Sequence, residues 1–224
     1  MSGRGAQRGS IGAVWVALVL LAAGCDDDGG AGLRGSGDVT TEERDVSGFD
    51  RIVLEGAGGL LVDVGGRASL AIEAEDNLLP LLTSEVRAST LELGTSDPIS
   101  PTRPITYTIG VPSLAGVSIT GSGDAVVPDL DCGTLDIVVS GVGRFDLGGS
   151  CDRLDVSISG AADLDAADLT VATAAIEISG AGDAIVHATD DLRVSISGTG
   201  SVEYAGDPAT EIDIDGAGTV RRRP

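Results

Sequence analysis

Six copies of one hydrophobic and polar pattern occupy the stretch from Val117 to Thr219. In each copy two aliphatic residues flank a residue that is polar in all but one copy, and a hydroxyl or acidic residue then precedes a glycine. This alternation is typical of a β-strand, because successive side chains point to opposite faces. The closing glycines lie 20, 19, 20, 18 and 18 residues apart, at Gly121, Gly141, Gly160, Gly180, Gly198 and Gly216.

This period predicts a solenoid in which successive coils of 18 to 20 residues stack on one another. Because every copy runs in the same direction, neighbouring coils should pair as parallel strands. The flanking aliphatic residues then form two ladders of buried side chains at a coil spacing of about 4.8 Å. The sequence therefore predicts an all-β, parallel β-helix-like fold, with Ile52 to Gly58 as a weaker seventh copy.

The closing glycine has two structural explanations. A corner with positive φ favours glycine, and so does a neighbouring backbone that passes too close for a side chain. The sequence leaves both explanations open.

A second column of residues lies three positions beyond each glycine and is mostly polar or charged. In register, Arg144 should lie beside Asp163, and Asp163 beside Asp183. An ion pair with turn hydrogen bonds is one interpretation, because stacked like charges otherwise repel. A calcium row at Asp163 and Asp183 is the other, although the calcium-binding GGxGxD repeat of other β-solenoids is absent.

Two cysteines occupy equivalent positions on neighbouring coils. Cys132 and Cys151 are 19 residues apart, and each lies three residues before a repeat leucine. A coil spacing of about 4.8 Å falls within the Cα separation of disulfides. The sequence therefore predicts a disulfide between them, which suits an exported protein.

The chain is strongly acidic, with a formal net charge of −21, and all 14 of its positive side chains are Arg. Such a charge repels phosphate backbones and anionic headgroups, which argues against a nucleic-acid partner and against electrostatic docking to a membrane. The sequence also contains no zinc-ligand spacing and no phosphate-binding loop, so no cofactor is predicted.

The N-terminal segment has the order of a secretory signal: Arg4 and Arg8, then an apolar run from Ile11 to Leu21, then small residues before Cys25. The stretch LAAGC resembles the lipobox of bacterial lipoproteins, which implies acylation of Cys25 and a membrane anchor. Residues 1–24 are thus predicted to be a lipoprotein signal peptide. Residues 25–44, rich in Gly and acidic side chains, are predicted to be a flexible tether, and residues 45–222 the solenoid domain.

Several segments resemble the head GIN domain family, described as an auto-transporter adhesin family. They are RDVSGFDRIVLEGAG at Arg44 to Gly58, NLLPLL at Asn77 to Leu82, and the repeated SGSGD, SGAGD and SGTGS phrases. The resemblance implies a β-helix-like domain in the cell envelope and supplies no catalytic residues.

The expected function is therefore non-catalytic: a lipid-anchored protein of the bacterial cell envelope, facing the periplasm or exterior. Its domain would bind an envelope polysaccharide or protein, or serve as a scaffold. The alternative is a polysaccharide lyase or hydrolase of the β-helix type that uses Asp163, Asp183 and Arg144. The prolines Pro98, Pro101 and Pro104 mark a surface loop, with Arg103 and Tyr107 next to it. The loop is either a simple excursion between coils or a second place where a ligand could bind.

Overall fold

The computed structural model describes residues 32–223 and shows a parallel β-solenoid of about five turns, so the predicted fold is confirmed. Within these residues there is no α-helix, and one 3-10 turn spans Leu79–Leu81. The N-terminal strands are β1 (Leu33–Arg34), β2 (Val39–Arg44), β3 (Arg51–Leu54), β4 (Ala57–Val64), β5 (Ser69–Glu75), β6 (Leu82–Arg87), β7 (Thr90–Thr95), β8 (Ile99–Ser100) and β9 (Thr106–Val111). The repeat region comprises β10 (Gly116–Ile119), β11 (Ser122–Val139), β12 (Val142–Ile158), β13 (Ala161–Ile178), β14 (Ala181–Ile196), β15 (Thr199–Ala205), β16 (Ala209–Ile214) and β17 (Ala217–Arg222).

The predicted register between coils is confirmed. All pairs within the repeat region are parallel, and β3 takes the place of the weaker seventh copy beside β10. The two inward ladders are continuous from coil to coil. They are Ile52, Val117, Ile137, Val156, Ile176, Val194 and Ile212, and Leu54, Ile119, Val139, Ile158, Ile178, Ile196 and Ile214.

The long strands β11 to β14 bend at a corner and contribute to two sides of the solenoid. One side runs through β6, β7, β3 and β10, then the second halves of β11 to β14, and ends at β16. The other runs through β2, β5, β9 and β4, then the first halves of the same strands, and ends at β15 and β17. The core between them is built of aliphatic side chains, with Phe145 and Tyr107 among its largest members.

The closing glycines are explained by close passage of the neighbouring coil. None of the six has a positive φ. A Cβ atom on each would lie only 1.8 to 2.1 Å from the carbonyl oxygen of the glycine one coil earlier. The same carbonyl accepts a backbone hydrogen bond from the residue after the glycine, as in Ala181 N to Gly160 O at 2.9 Å. Glycine therefore sets the distance at which consecutive corners can hydrogen-bond.

The predicted tether is too long, because residues 33–44 form two strands. β1 pairs with β8, and β2 pairs antiparallel with β5 from Val39 opposite Glu75 to Arg44 opposite Leu70. The physical reason is that β5 would otherwise expose an unpaired backbone edge, which the Val and Thr residues of β2 can cover. Residues 25–31 and the signal segment lie outside the described residues.

Replacing a closing glycine should destabilise the solenoid through backbone contact. Gly180→Ala would place its Cβ 2.0 Å from Gly160 O, so the coils must separate locally. We expect a cost of at least about 1 to 3 kcal/mol, comparable to overpacking of a core. Thermal unfolding followed by circular dichroism should show a lower Tm.

The matched control is Gly133→Ala, since a Cβ at Gly133 meets no atom within 4 Å and its φ is not positive. Equal Tm values for the two variants would contradict the close-passage explanation.

Candidate functional site

The side of the solenoid that ends at β16 presents a flat outer surface, here called the front face. It consists of the outward side chains of β3, β10, the second halves of β11 to β14, and β16. Two rows cross the coils. The first is Arg51, Gly116, Asp136, Asp155, Ala175, Arg193 and Glu211, and the second is Val53, Ser118, Val138, Ser157, Glu177, Ser195 and Asp213.

An open groove of about 410 Å³ lies in the centre of the front face. Its floor includes Val138, whose side chain is outward and leaves the residue 43% exposed. Ser157, Glu177 and Ser195 continue the same row across the next coils, and the groove extends to Arg51 and Arg193. The groove thus combines an apolar floor with hydroxyl groups and charged ends.

Three ion pairs lie along this groove. Arg51 Nη2 donates to Asp136 Oδ2 at 2.7 Å, although β10 lies between their strands. The contact is possible because Gly116 lies between them, and a Cβ there would come within 2.9 Å of Arg51 Nη1. A side chain at this position would block the bridge.

The second pair lies on β12, beside Asp136, and the third lies at the opposite end of the groove. Arg153 Nε donates to Asp155 Oδ2 at 2.7 Å, and this hydrogen bond and the carboxylate charge raise the pKa of Arg153. Arg193 donates from Nε and Nη2 to Glu211 Oε2 at 3.0 and 2.6 Å. All three pairs are partly or largely exposed, so each holds its arginine in place more than it stabilises the fold.

The sequence did not identify the groove. The sequence feature that could have indicated the groove is Val138, the one aliphatic residue between the two inward residues of the six copies. The bridge from Arg51 to Asp136 could not be seen, because the residues are 85 positions apart and β3 does not adjoin β11.

The predicted disulfide is present. Cys132 and Cys151 are bonded and lie in register on β11 and β12, with their Cα atoms 4.5 Å apart. Cys151 packs in the core, so the bond joins two coils at the edge of the hydrophobic interior. Cys25, the predicted lipidation site, lies outside the described residues.

The charged column is in the predicted register but lies on the side opposite to the front-face strands. Arg144 pairs with Asp163, and Asp163 with Asp183, along a shallow depression of about 350 Å³. Arg144 Nη2 is 3.5 Å from Asp163 Oδ2, and both side chains are exposed. Asp183 Oδ1 accepts hydrogen bonds from the amide and hydroxyl of Ser201, at 2.8 and 2.7 Å.

These contacts give the column a role in joining coils. Across residues 32–223, no group of three or more His, Cys, Asp or Glu side chains is arranged to hold a metal ion. His187 lies on β14, in register with Thr170 of β13 and Ala205 of β15.

The proline loop is held by a buried carboxylate. Glu75 is the one buried charged residue among residues 32–223, and its side chain accepts hydrogen bonds from two segments. From the loop come Thr102 Oγ1 at 2.5 Å, Thr102 N at 2.8 Å and Arg103 N at 3.3 Å. The fourth donor is the amide of Gly37, at 2.7 Å, which belongs to residues 33–44, here called the N-terminal arm.

These donors have an electrostatic consequence. The hydrogen bond from the Thr102 hydroxyl is the largest influence and lowers the pKa of Glu75, and the backbone amides act in the same direction against the effect of burial. Tyr107 beside the loop is fully buried, and burial raises its pKa to about 12 although the charge of Arg44 opposes this. The loop therefore serves to join the N-terminal arm to the solenoid.

Comparison with known proteins identifies the family. A family model described as "Putative auto-transporter adhesin, head GIN domain" matches residues 48–208. The chain belongs to the head GIN domain family. The match contains every residue that lines the groove, whereas Glu211 and the rest of β16 lie beyond it.

Two solved structures have a similar fold. A crystal structure of a putative adhesin from Bacteroides fragilis is 25% identical, with a TM-score of 0.72, and covers 86% of this chain and 100% of that chain. A putative lipid binding protein from Parabacteroides distasonis is 20% identical, with a TM-score of 0.50 over 86% of this chain and 99% of that chain, and it shows the fold alone. No match was found among curated proteins.

The family places this head GIN domain with cell-surface and envelope proteins. Among the described residues, none of the helical structure has the length and hydrophobicity needed to cross a membrane.

Neutralising Glu75 should loosen the contact between the N-terminal arm and the loop. Because its folded pKa is below the ordinary value of 4.5, its stabilising effect is complete above that value and is lost as the pH falls through the folded pKa. We expect Glu75→Gln to lower Tm at pH 7, and the difference from the parent protein to shrink below pH 4.

Glu73→Gln is the matched control, since Glu73 is exposed on the same strand, β5. Hydrogen exchange of the Gly37 and Thr102 amides should accelerate in Glu75→Gln alone. Unchanged exchange at both amides would show that the Glu75 carboxylate does not hold the N-terminal arm to the proline loop.

Proposed function

We propose that this protein is a non-catalytic, lipid-anchored binding protein of the cell envelope, and that its front face holds an extended, uncharged surface polymer. The observation that carries the proposal is the groove, where the exposed Val138 and the serines of neighbouring coils form one row. Membership of an adhesin family supports a binding role for the domain.

The spacing of the row favours a repeating ligand. Ser118, Ser157 and Ser195 alternate with Val138 and Glu177, so a hydroxyl recurs on every second coil. At about 4.8 Å per coil, the hydroxyls are about 10 Å apart. This distance is comparable to the length of a disaccharide unit, so a polysaccharide lying across the coils would meet equivalent groups at each repeat.

The charge of the chain favours a neutral ligand. With a net charge of −21, the protein repels acidic polymers over most of its surface. The arginines at the groove already contact Asp136, Asp155 and Glu211, and therefore carry little uncompensated positive charge. Hydroxyl groups and aliphatic surface are what remains to contact a ligand, and both suit the polar edges and apolar faces of sugar rings.

The position of the N-terminal arm supports anchoring through Cys25. Strand β2 pairs with β5 at the end of the solenoid farthest from β16 and β17, and Cys25 precedes β2 along the chain. An acyl chain at Cys25 would thus hold this end near the membrane and leave the front face accessible along its length.

Anchoring is tested by acylation. Cys25→Ser removes the thiol that would be acylated, so it should abolish incorporation of labelled palmitate. The protein should then leave the membrane fraction, because durable anchoring depends on the acyl chains. The control is the double variant Cys132→Ser and Cys151→Ser, which removes the other cysteines and should keep the label. Label retained in Cys25→Ser would disprove the anchor.

Ligand binding is tested at Val138. Val138→Asp would place a carboxylate on the apolar floor, and we expect the affinity for neutral polysaccharide extracted from the envelope to fall at least about tenfold, or about 1.4 kcal/mol. Isothermal titration calorimetry on the parent and variant proteins measures the change.

Val142→Asp is the matched control, because Val142 is 58% exposed and lies outside the groove. Similar losses in both variants would indicate a charge effect without a site. No binding of any polysaccharide fraction by the parent protein would favour a scaffold role.

A further inference from the structure

The two ends of the solenoid differ in how they are closed. At the N-terminal end, the antiparallel strands β2, β5 and β6 and the turn at Leu79–Leu81 cover the core, and Leu79 and Leu82 are buried. At the other end, β16 pairs with β14 alone and β17 with β15 alone. Within residues 32–223, no segment covers the outer edges of β16 and β17.

The open end exposes side chains that are core residues everywhere else in the ladders. Ile212 and Ile214 are 44% and 39% exposed, whereas Val194 and Ile196, the same positions one coil earlier, are 1% exposed. Val220 continues the inward position of Val202 on the adjacent side and is only partly buried. The end is thus an apolar surface bordered by two strands with unpaired backbone groups.

The two open strands carry opposite charges. The β16 edge and the corner after it bear Glu211, Asp213 and Asp215. β17 bears Arg221 and Arg222, and Arg223 follows it, so three positive charges lie together on a chain whose net charge is −21. A second copy with the same two edges, rotated by half a turn, would bring the acidic strand of each copy to the basic strand of the other.

We propose that two copies of this chain associate end to end through β16 and β17, with β16 of each copy antiparallel to β17 of the other. A twofold axis through the corner at Gly216 exchanges the two strands. The contact is then isologous and closes after two copies.

The alternation of the strands selects the register. Inward side chains must meet inward side chains if the core is to continue across the contact. With Gly216 on the axis, Ile212 lies opposite Val220 of the second copy and Ile214 opposite its Gly218. The outward pairs are then Glu211 opposite Arg221, and Asp213 opposite Thr219.

Existing contacts leave room for these new pairs. Arg193 takes up one oxygen of Glu211, Oε2, with both of its hydrogen bonds, so Oε1 is available to a second donor. Arg221 contacts Glu203 through Nη2 and has further N–H groups on its guanidinium. Glu211 and Arg221 can therefore bridge two copies without losing their partners on the preceding coil. Arg222 and Arg223 already contact Asp207 and Glu203 of their own chain.

Other arrangements of two copies are disfavoured by charge and by the capped end. Pairing β16 with β16 would oppose acidic side chains, and pairing β17 with β17 would oppose arginines. Head-to-tail growth would need the open end to pair with the N-terminal end, where antiparallel strands and the 3-10 turn cover the core. The closed pair therefore avoids both like-charge contacts and fibre formation.

Cross-linking between two single-cysteine variants tests this register. The full chain carrying Cys25→Ser serves as the parent, so that the natural disulfide is the remaining cysteine pair. Asp213→Cys and Thr219→Cys are purified separately, mixed under mild oxidation and examined on a non-reducing gel. We expect a cross-linked species of two chains in the mixture and at least about tenfold less in either variant alone, because opposite residues in an antiparallel pair have Cα atoms about 5 Å apart.

Two controls make the outcome decisive. Asp213→Cys mixed with Gly133→Cys should not cross-link, since Gly133 is exposed and far from the open end. Adding Ile212→Asp to both partners should reduce the cross-linked fraction at least about tenfold while Tm stays close to that of the parent, as Ile212 is already exposed. Equal cross-linking in the Gly133 control, or none in the Asp213 and Thr219 mixture, would overturn the proposal. Sedimentation velocity that shows only monomer at concentrations where the mixture cross-links would overturn it as well.

Discussion

The structure depends on how closely the backbones of consecutive coils approach at the repeat corner. Each closing glycine faces the carbonyl of the glycine one coil earlier at a distance that excludes any side chain. This approach allows the corner to continue the hydrogen bonding of the strands on both sides. The corners therefore keep the coils in register, and the register in turn aligns the aliphatic ladders, the two cysteines and the charged column. A shift by one residue would turn each ladder outward.

A solenoid built this way has two requirements beyond its repeat: its ends must be covered and its outer faces must stay soluble. The N-terminal end meets the first with strands that run against the coil direction and with the Glu75 clamp, which joins the arm to the proline loop. The clamp is a buried carboxylate with several donors, so it is stable only because each oxygen is hydrogen-bonded. The C-terminal end lacks an equivalent cover among the described residues, and its exposed isoleucines and opposed charges are the basis for the inferred self-association.

The proposed binding function depends on side chains that point away from the core. Alternate residues of each strand form the core, and the others are free to vary because only their backbone is needed for stacking. On the front face this freedom places Val138, serines and ion-paired arginines around one groove. On the other side, the same freedom is used for contacts between coils, where Arg144 meets Asp163 and Asp183 meets Ser201. The two faces have the same backbone but different chemistry, which is why we propose the groove, and not the charged column, as the binding surface.

The sequence alone determined whatever repeats with the coil period. The ladders, the pairing of Cys132 with Cys151 and the alignment of Arg144 with Asp163 follow from counting residues, because a translational repeat places equivalent positions beside one another. Features without that period were decided by the tertiary structure. The strand at 39–44 was predicted to be flexible because residues 25–44 are rich in Gly and acidic side chains. Its partner β5 is antiparallel and lies outside the repeat, so counting residues did not reveal the pairing. The bridge from Arg51 to Asp136 depends on the order of β3, β10 and β11, and on Gly116 leaving space between them. Contacts of this kind join segments distant in sequence, and only the folded chain brings them together.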